Sequence, residues 1–416
     1  MTKRSIVEYI HTLSAYKYRC IPSDNFQDEQ YGLRCCNAGF LQPDQLRIMT
    51  AIQSKCLTVL FVAFSFISSA IAQENPAQFL NRANAKVARA AGLKNRWDGP
   101  VDGPRLQKKK KIVFIANDMN DGAINTLYHG VLEAGKSGGW EILFIDCRNR
   151  CNQNAAIIKQ ALDMKADAVI LAGVDVGTQA KGMAAAAAAH VPVVGWHASV
   201  KSGPADGLFT NLATNPKEVA QLAALYAVTE SNNKAGIVVF TDSTNPYMMA
   251  KSAAISETIK QSEGSRLLSV EDIPVAEANQ KMKPAVQNLI KRFGTKWTNV
   301  IAVSDYYFDL LESPAIAPLL ENNKLTGVAA GDGTSNAYKR IRANNLQTGT
   351  VPEPLSLHAW QLVDEVNRAL SGQPASAYNT SVHLVTAQNI AYDGGVKNIF
   401  DPANDYRQHY QQVWNK

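Results

Sequence analysis

Apolar runs alternate with helix-like segments twice along the chain, first over residues 110–196 and again over 235–343. The strand-like runs are continuously apolar, which is typical of strands that are buried on both faces of a sheet. The first block predicts strands at 112–116, 140–145, 168–171 and 191–196, with helices at 123–136, 154–164 and 178–189. The second block predicts strands at 235–240, 267–270, 300–303 and 326–330, with helices at 247–260, 277–293, 307–311 and 335–343. Strands that alternate with helices in this way predict a parallel sheet.

Two blocks of similar length predict an α/β fold with two doubly wound parallel-sheet lobes. A late helix at 355–370 and a strand at 382–386 follow the second block and are expected to complete the lobes. The predicted boundaries are 73–109 for an N-terminal helix and linker, 110–211 plus 352–384 for lobe 1, and 212–351 plus 385–416 for lobe 2.

A different hydrophobic pattern precedes these blocks. A short stretch with one lysine leads into the apolar run 57–67, and an Ala-Ile-Ala sequence ends at Ala72. This order predicts a secretory signal peptide over 49–72, cleaved before Gln73, and therefore a periplasmic protein. The run is shorter than the roughly 20 residues of a membrane-spanning helix. Residues 1–48 are then expected to be untranslated or disordered, and the alternative is a cytosolic tail before an uncleaved anchor.

Composition supports two lobes and gives no sign of a nucleic-acid partner. Residues 73–416 number 344, more than one hydrophobic core usually holds. The chain carries 42 Lys and Arg against 36 Asp and Glu, and the region before residue 73 contributes 7 and 5 of these, which leaves a net charge near +4. Nucleic-acid binders cluster basic residues on one face. The one basic run, 108–111, leads directly into a strand and is interpreted as a solvated edge.

Cys147 and Cys151 are the only cysteines after residue 72. An oxidising compartment permits a disulfide between them if the intervening loop bends tightly. A metal site is not indicated, because no histidine or second cysteine pair stands nearby in sequence. A redox-active pair is an alternative that lacks the usual C-x-x-C spacing.

The carboxyl ends of the predicted strands are rich in acids, amides and aromatic residues. Ligands of open α/β sheets bind at this edge. The residues are Asn117, Asp121, Asp175, Trp196, His197, Ser304, Asp305, Asp332 and Glu353. Paired acceptors together with an aromatic face suit a neutral polyol such as a sugar. Each residue also has a simpler interpretation, since Asp and Asn after strands often cap helices, Trp196 can belong to a lobe core and His197 can lie on the surface.

Enzyme signatures lack their required structural context in this sequence. The pattern G-x-x-x-x-G-K-[ST] occurs at 130–137 and the pattern G-x-S-x-G at 135–139, but both fall within or after the predicted helix 123–136, whereas a phosphate-binding loop and a nucleophile elbow follow a strand. No histidines or cysteines have metal-site spacing. The sequence therefore predicts no catalytic residue, no metal and no cofactor. A carbohydrate-active enzyme stays open as an alternative, because a hydrolytic pair of carboxylates needs no sequence motif.

Over residues 110–390 the chain resembles the sugar-binding type I periplasmic binding proteins, the ribose-receptor-like receptors of ABC transporters. The sequence features that carry this resemblance are the first strand with 117–121, the strand at 191–194, Ser304-Asp305 after an apolar strand, and the Gly-Asp-Gly-Thr sequence at 331–334. The resemblance implies two lobes that are joined by a three-strand hinge and close on a sugar. The matching cleft positions are Asn117, Asp121, Asp175, Trp196, His197, Met249, Ser304, Asp305, Asp332 and Glu353. The hinge is expected near Asn211, near Val351 and before Val385.

The chain also departs from the ribose receptors. Ala123 and Ile124 stand where two phenylalanines are expected, His197-Ala198 replaces Asp-Arg, and an arginine is missing near Met249. The resemblance therefore supports the fold and the role of a receptor, but it does not support ribose as the ligand. The related lactose-repressor regulators begin with a DNA-binding helix-turn-helix, for which 73–108 is too short.

The predicted function is that of a monomeric, exported receptor that delivers a sugar or polyol to the membrane subunits of an ABC permease. One alternative is a periplasmic co-receptor for a sensor kinase or chemoreceptor. The other is the carbohydrate-active enzyme.

Overall fold

The computed structural model describes residues 75–416, and its elements follow the predicted alternation of strands and helices. The predicted signal peptide at 49–72, its cleavage before Gln73 and the segment 1–48 lie outside the described residues. Within 75–416, no helix combines the length and the apolarity needed to cross a membrane.

Two sheets form the centres of two lobes. The first sheet is parallel with strand order β2-β1-β3-β4-β5, and the second has order β11-β10-β9-β8-β6-β7 with only β11 antiparallel. The strands of the first sheet are β1 Lys111–Ala116, β2 Glu141–Asp146, β3 Ala168–Ala172, β4 Val193–Trp196 and β5 Thr210–Leu212. Those of the second are β6 Gly236–Thr241, β7 Arg266–Asp272, β8 Asn299–Ala302, β9 Thr326–Ala329, β10 Gln347–Thr350 and β11 Val385–Thr386.

Helices cover both faces of each sheet. They are α1 Pro76–Ala90, α2 Gly122–Gly135, α3 Ile157–Asp163, α4 Ala180–Ala188, α5 Pro216–Glu230, α6 Pro246–Lys260, α7 Ala278–Phe293, α8 Tyr306–Leu311, α9 Ala317–Leu320, α10 Ser335–Ala343, α11 Leu355–Leu370, α12 Ile390–Asp393 and α13 Tyr406–Trp414. Strand β1 shows why its sequence is continuously apolar. Ile112 and Phe114 pack into the core under α2 and α11, whereas Val113 and Ile115 pack into the core under α3.

Helix N-caps place several polar residues at the carboxyl edge of the sheets. Asp121 caps α2, Asn215 caps α5, Asn245 caps α6 and Thr334 caps α10, each through its side-chain oxygen. The backbone N–H groups at these helix starts therefore point towards the edge where the strands end.

Three segments carry the chain between the lobes near the sheet edges. They are 213–215 after β5, 351–354 after β10 and 371–384 between α11 and β11. Helix α11 packs against α2 in the first lobe, and β11 pairs with β10 in the second.

The C-terminal helix differs from the predicted division, which assigns 385–416 to lobe 2. The structure places α13 in the first lobe, where Trp414 stacks on Trp360 at a centroid distance of 5.3 Å. Trp414 Nε1 also donates to Asp364 Oδ1 at 2.8 Å. The aromatic residues of α13 pack with α11 in the first-lobe core, and hydrophobic periodicity does not identify which lobe a helix covers.

Residues 75–109, for which the sequence suggests no role beyond a helix and linker, contact both lobes. Helix α1 packs on α5 of the second lobe, and the backbone N–H of Leu384 donates to Ala90 O at 3.0 Å. Further on, Trp97 stacks on His409 at 5.2 Å in the first lobe. The N-terminal segment is therefore an additional link across the two lobes.

Gly130 sets how closely α2 approaches α11. A Cβ atom at this position would lie 2.5 Å from Ala359 Cβ, far inside normal contact. We expect Gly130→Ala to lower the free energy of unfolding by about 1–3 kcal/mol, because the helices must separate or strain. Urea unfolding followed by circular dichroism measures this. His129→Ala, on the exposed side of the same helix, should change stability by less than about 0.5 kcal/mol; equal stabilities for the Gly130 variant and wild type would contradict the packing argument.

Candidate functional site

The first-lobe residues lie at the carboxyl edge of the sheet, as the sequence predicts. Asn117 directly follows β1, and its Nδ2 donates to Asn149 Oδ1 at 2.8 Å. Asp121 accepts the N–H groups of Ala123 and Ile124 at 2.7 and 3.3 Å, both through Oδ1. Asp121 is therefore a helix cap, as the simpler interpretation predicts, and it also lies at the cleft.

Of the two predicted aspartates in the second lobe, Asp332 faces the cleft and Asp305 does not. Ser304 Oγ donates to Asp332 Oδ2 at 2.6 Å, which joins the loop after β8 to the loop after β9. Asp305 is fully buried and its carboxylate accepts four bonds. The donors are Gly333 N at 2.7 Å, Thr334 N at 3.0 Å, Gln347 Nε2 at 2.7 Å and Thr350 Oγ1 at 3.2 Å.

The prediction that Asp305 binds ligand is therefore corrected. Its carboxylate ties the loop after β8 to the start of α10 and to β10. Burial, with Asp332 close by, raises the pKa of Asp305 to about 6. The local chain direction explains this difference. Asp305 lies one residue farther from the end of β8 than Ser304 does, and its side chain turns into the lobe.

Acidic side chains of the two lobes face each other. Burial raises the pKa of Asp121 to about 7, and the negative charges of Asp332 and Asp118 contribute to the increase. The side chain of Asp121 still reaches solvent, so it is enclosed by the cleft walls and not by a lobe core. A Cβ at Gly122 would lie 3.8 Å from Thr334 Cγ2, which shows that the N-termini of α2 and α10 approach one another across the cleft.

A stack of three rings crosses from one lobe to the other. His197 stacks on Trp196 at 3.8 Å and on Tyr247 at 4.2 Å between ring centroids. Trp196 and His197 belong to the first lobe, and Tyr247 lies in the first turn of α6 of the second. His197 has φ +51°, a conformation that is uncommon for a residue other than glycine and is often found at functional positions.

Glu353 is the centre of a buried polar cluster at the lobe crossings. Thr214 Oγ1 donates to Glu353 Oε2 at 2.6 Å, and Tyr247 OH lies 3.4 Å from Oε1. His197 Nε2 and His358 Nδ1 each lie 3.4 Å from a Glu353 oxygen. Burial favours the neutral acid, but the charge and hydrogen bonding of His197, together with Lys251, outweigh it and hold the pKa of Glu353 below its usual value. The carboxylate therefore stays ionised.

His358 completes the cluster as a neutral imidazole. Its Nδ1 accepts from Trp196 Nε1 at 3.2 Å, so the proton sits on Nε2, which lies 2.8 Å from Thr380 Oγ1. Burial lowers the pKa of His358 to about 4, against the attraction of Glu353. Thr214, Glu353 and Thr380 come from the three segments that cross between the lobes, and Thr214 and Thr380 contact each other at 3.1 Å.

Two predicted residues lie apart from this cluster. Asp175 caps a 3-10 turn, Val176–Gln179, through Gly177 N at 3.1 Å. It borders a cavity of ≈ 350 Å³ whose other lining residues are Val176, Gly177, Ala180, Met183, Ser199, Val200, Asp206 and Pro246. Met249 lies in the first turn of α6 with 41% of its surface exposed. It is Tyr247 and Lys251, at i and i+4 of this helix, that turn towards the cluster.

Sequence reasoning missed Lys251, which is fully buried. Its Nζ donates to Val303 O at 3.3 Å and lies 4.8 Å from the centre of the Tyr247 ring. A signal was present, because Asn245-Pro246 marks the helix start and places Tyr247 and Lys251 on one helix face. Thr214, His358 and Thr380 gave no comparable signal.

A disulfide joins Cys147 and Cys151 in the loop after β2. Among residues 75–416, no group of three or more His, Cys, Asp or Glu side chains is arranged to hold a metal ion. The residues gathered at the cleft therefore offer hydrogen-bond acceptors and helix N-termini, which together suit a small hydroxylated solute.

Comparisons with known proteins show the family and the fold. Residues 112–374 match the family described as "Periplasmic binding protein domain". A sugar ABC transporter protein from Yersinia enterocolitica superposes with TM-score 0.61 at 17% identity, covering 74% of this chain and 95% of that one. A comparison with curated protein sequences gave no match.

Two further structures have the same fold. A solute-binding protein from Agrobacterium vitis, bound with α-D-tagatopyranose, has TM-score 0.61 and 15% identity, with 70% of this chain and 99% of that chain covered. One from Bacillus halodurans, with bound myo-inositol, has TM-score 0.57 and 16% identity, with 68% and 96% covered.

Proposed function

Because the chain belongs to the periplasmic binding protein family, we propose that it is an exported receptor that closes two lobes on a sugar or related polyol and delivers it to an ABC permease. In this proposal the protein acts as a monomer, binds no nucleic acid and catalyses no reaction on its ligand.

The observation that carries the proposal is the pairing of Asp121 and Asp332 across the cleft. Two carboxylates that face each other repel, and this repulsion contributes to the raised pKa of Asp121. Hydroxyl groups placed between them would donate to both and replace repulsion by charge-assisted hydrogen bonds. The apposed N-termini of α2 and α10 supply N–H donors for the oxygen atoms of the same solute.

The chemistry of a polyol also fits the proteins of the same fold. The rings of Trp196, His197 and Tyr247 are buried and stack on one another, so they wall the lobe crossings and leave the cleft carboxylates and helix N-termini to contact the solute. The tagatopyranose and myo-inositol that are bound to the proteins from Agrobacterium vitis and Bacillus halodurans are solutes of this chemistry.

A ligand screen tests the proposal. Purified protein should melt at a higher temperature with at least one member of a panel containing D-tagatose, myo-inositol, D-arabinose and allitol, because a ligand that binds only the folded state stabilises it. Calorimetric titration then gives the affinity, and analysis of the ligand afterwards should show no new product. If no sugar or polyol binds, the ligand class is wrong; if product accumulates, the protein is an enzyme.

Delivery is tested in cells. Removal of the gene should abolish uptake of the identified ligand while glucose uptake, as a control, continues. Unchanged uptake together with a lost transcriptional or chemotactic response to the ligand would instead identify a co-receptor.

Ligand binding should close the two lobes about the segments 213–215, 351–354 and 371–384. The lobes have separate hydrophobic cores and a polar contact surface, an arrangement that favours relative motion. We expect small-angle X-ray scattering to give a smaller radius of gyration with saturating ligand than without it. A non-binding sugar serves as the control, and an unchanged radius at saturation would contradict hinge closure.

A further inference from the structure

The disulfide between Cys147 and Cys151 lies beside the ligand-facing edge of the first lobe. We define the disulfide loop as residues 146–151, which begin at the last residue of β2. Because the strand order is β2-β1-β3, this loop must pass over the end of β1 to approach the residues after β3. Cys147 N donates to Ala116 O at 3.0 Å, and Cys151 is fully buried.

One side of the loop holds the residues after β1. Asn149 N donates to Asn117 O at 2.7 Å, and Asn117 Nδ2 donates back to Asn149 Oδ1 at 2.8 Å. Asn149 Nδ2 also donates to Asp118 Oδ2. Asp146 Oδ1 accepts Met119 N at 3.1 Å. Asn149 thus fixes both the backbone and the side chain of Asn117.

The other side holds the residues after β3. Gln179 Nε2 donates to the carbonyl oxygen of Cys151 at 3.0 Å, and Gln179 is fully buried. Gln179 ends the 3-10 turn that Asp175 caps. The ends of the disulfide loop therefore contact two of the segments that face the cleft from the first lobe.

The disulfide loop contains two non-glycine residues in the left-handed conformation. Arg148 and Asn149 have φ of +50° and +60°, and neither is glycine. The left-handed conformation is unfavourable for Arg148, although asparagine tolerates it better, so a free loop would populate other states. A covalent closure of the loop excludes most of these alternatives, as disulfides do by restricting the chain.

We propose that the Cys147–Cys151 disulfide is a positioning device for the ligand site and that it acts through Asn149, which orients Asn117 at the cleft. The inference rests on the proposed function, since Asn117 is placed there as a ligand contact. Asn149 is a positioning residue and does not itself touch the ligand.

The first test needs no ligand. Hydrogen–deuterium exchange is compared between the oxidised wild type and the Cys147→Ser/Cys151→Ser variant. We expect amides in 117–121 and 175–179 to exchange about 10-fold faster in the variant, since their tethers open more often. Amides of β6 in the second lobe, the internal control, should not change. Unchanged exchange in 117–121 would overturn the proposal whether or not any sugar binds.

The second test measures affinity with D-tagatose and myo-inositol as probes. Asn149→Ala and the double serine variant should each weaken binding by about 2- to 10-fold, the effect of losing a neutral hydrogen bond. Combining them should weaken binding no further than the larger single effect, because both act through the same contact. Asn154→Ala, which removes the hydrogen bond that Asn154 Oδ1 accepts from Ala156 N at 3.1 Å just beyond the loop, is the matched control and should bind as wild type.

The outcomes separate the two proposals. Faster exchange with unchanged affinity would show a purely structural disulfide and overturn the positioning role. Fully additive losses would overturn the route through Asn149. If neither probe nor any other polyol binds the wild type, the proposed function fails, while the exchange experiment still decides whether the disulfide holds Asn117.

Discussion

Glu353→Ala is expected to lower the free energy of unfolding by about 3–5 kcal/mol, the range for removing one member of a buried charged contact. The carboxylate is 1% exposed and is the shared acceptor for side chains from both lobes. Its removal leaves Thr214 Oγ1 without the acceptor at 2.6 Å and leaves the two histidines facing an empty space. Urea unfolding at pH 7 gives the loss directly.

The matched control is Glu321→Ala, an exposed glutamate of the second lobe, which should change stability by less than about 0.5 kcal/mol. Glu353→Gln keeps the shape and an acceptor for Tyr247 and should recover part of the loss. A loss below 1 kcal/mol for Glu353→Ala would show that the cluster does not hold the crossing segments together.

The same residue predicts a pH dependence. The pKa of Glu353 in the folded protein lies below its ordinary value of 4.5, so the folded state binds fewer protons than the unfolded chain between these values. Its stabilising contribution is therefore complete above about pH 4.5 and is lost as the pH falls through the folded-state value. The stability difference between wild type and Glu353→Gln should shrink on acidification below this point, and a difference that grew would contradict the ionised state.

Asp332→Ala is expected to weaken sugar binding by about 10- to 150-fold, which corresponds to the loss of about 1.5–3 kcal/mol from hydrogen bonds to a charged group. Stability should be unchanged or slightly higher, because Asp332 is a like charge close to Asp121 and Asp305. The variant should also lower the pKa of Asp121, which carbon-13 detected titration of the carboxyl groups measures. Calorimetric titration beside a thermal melt separates affinity from stability.

Asp305→Ala is the matched comparison. Asp305 is a nearby carboxylate whose removal should lower stability more than it lowers affinity. Its four donors include two backbone N–H groups, and leaving a buried donor unsatisfied costs about 1–3 kcal/mol. This variant should melt at a lower temperature and lose less affinity than Asp332→Ala. If Asp332→Ala instead melts lower and binds normally, Asp332 is a structural residue and the cleft assignment is wrong.

Some elements that sequence reasoning overlooked carried usable signals. Helix α5 begins with Asn215 and Pro216 and has Glu218 in its first turn, which is a strong start signal, yet no helix was predicted there. Strand β5 is different, since it has three residues and is too short for a hydrophobic period to appear.

In the candidate site, too, some residues have a signal in the sequence and others do not. The carboxyl-edge rule places Asn117, Asp121 and Asp332 from the sequence alone, because parallel strands end at one edge. It could not distinguish Asp332 from Asp305, since both follow apolar strands and only the direction of the chain beyond the strand decides which carboxylate enters the lobe. It assigned Met249, whereas the helix turns Tyr247 and Lys251 inward.

Local periodicity and the geometry of parallel strands establish the α/β class, the two lobes, the alternation of strands and helices outside α5 and β5, and the edge that carries the polar residues. Long-range folding alone brings Thr214, Glu353 and Thr380 together at the lobe crossings, returns α13 to the first lobe and places Asn149 against Asn117. Thr214 and Glu353 are 139 residues apart. Contacts over such separations depend on where the chain crosses between the lobes, and hydrophobic periodicity carries no information about that path.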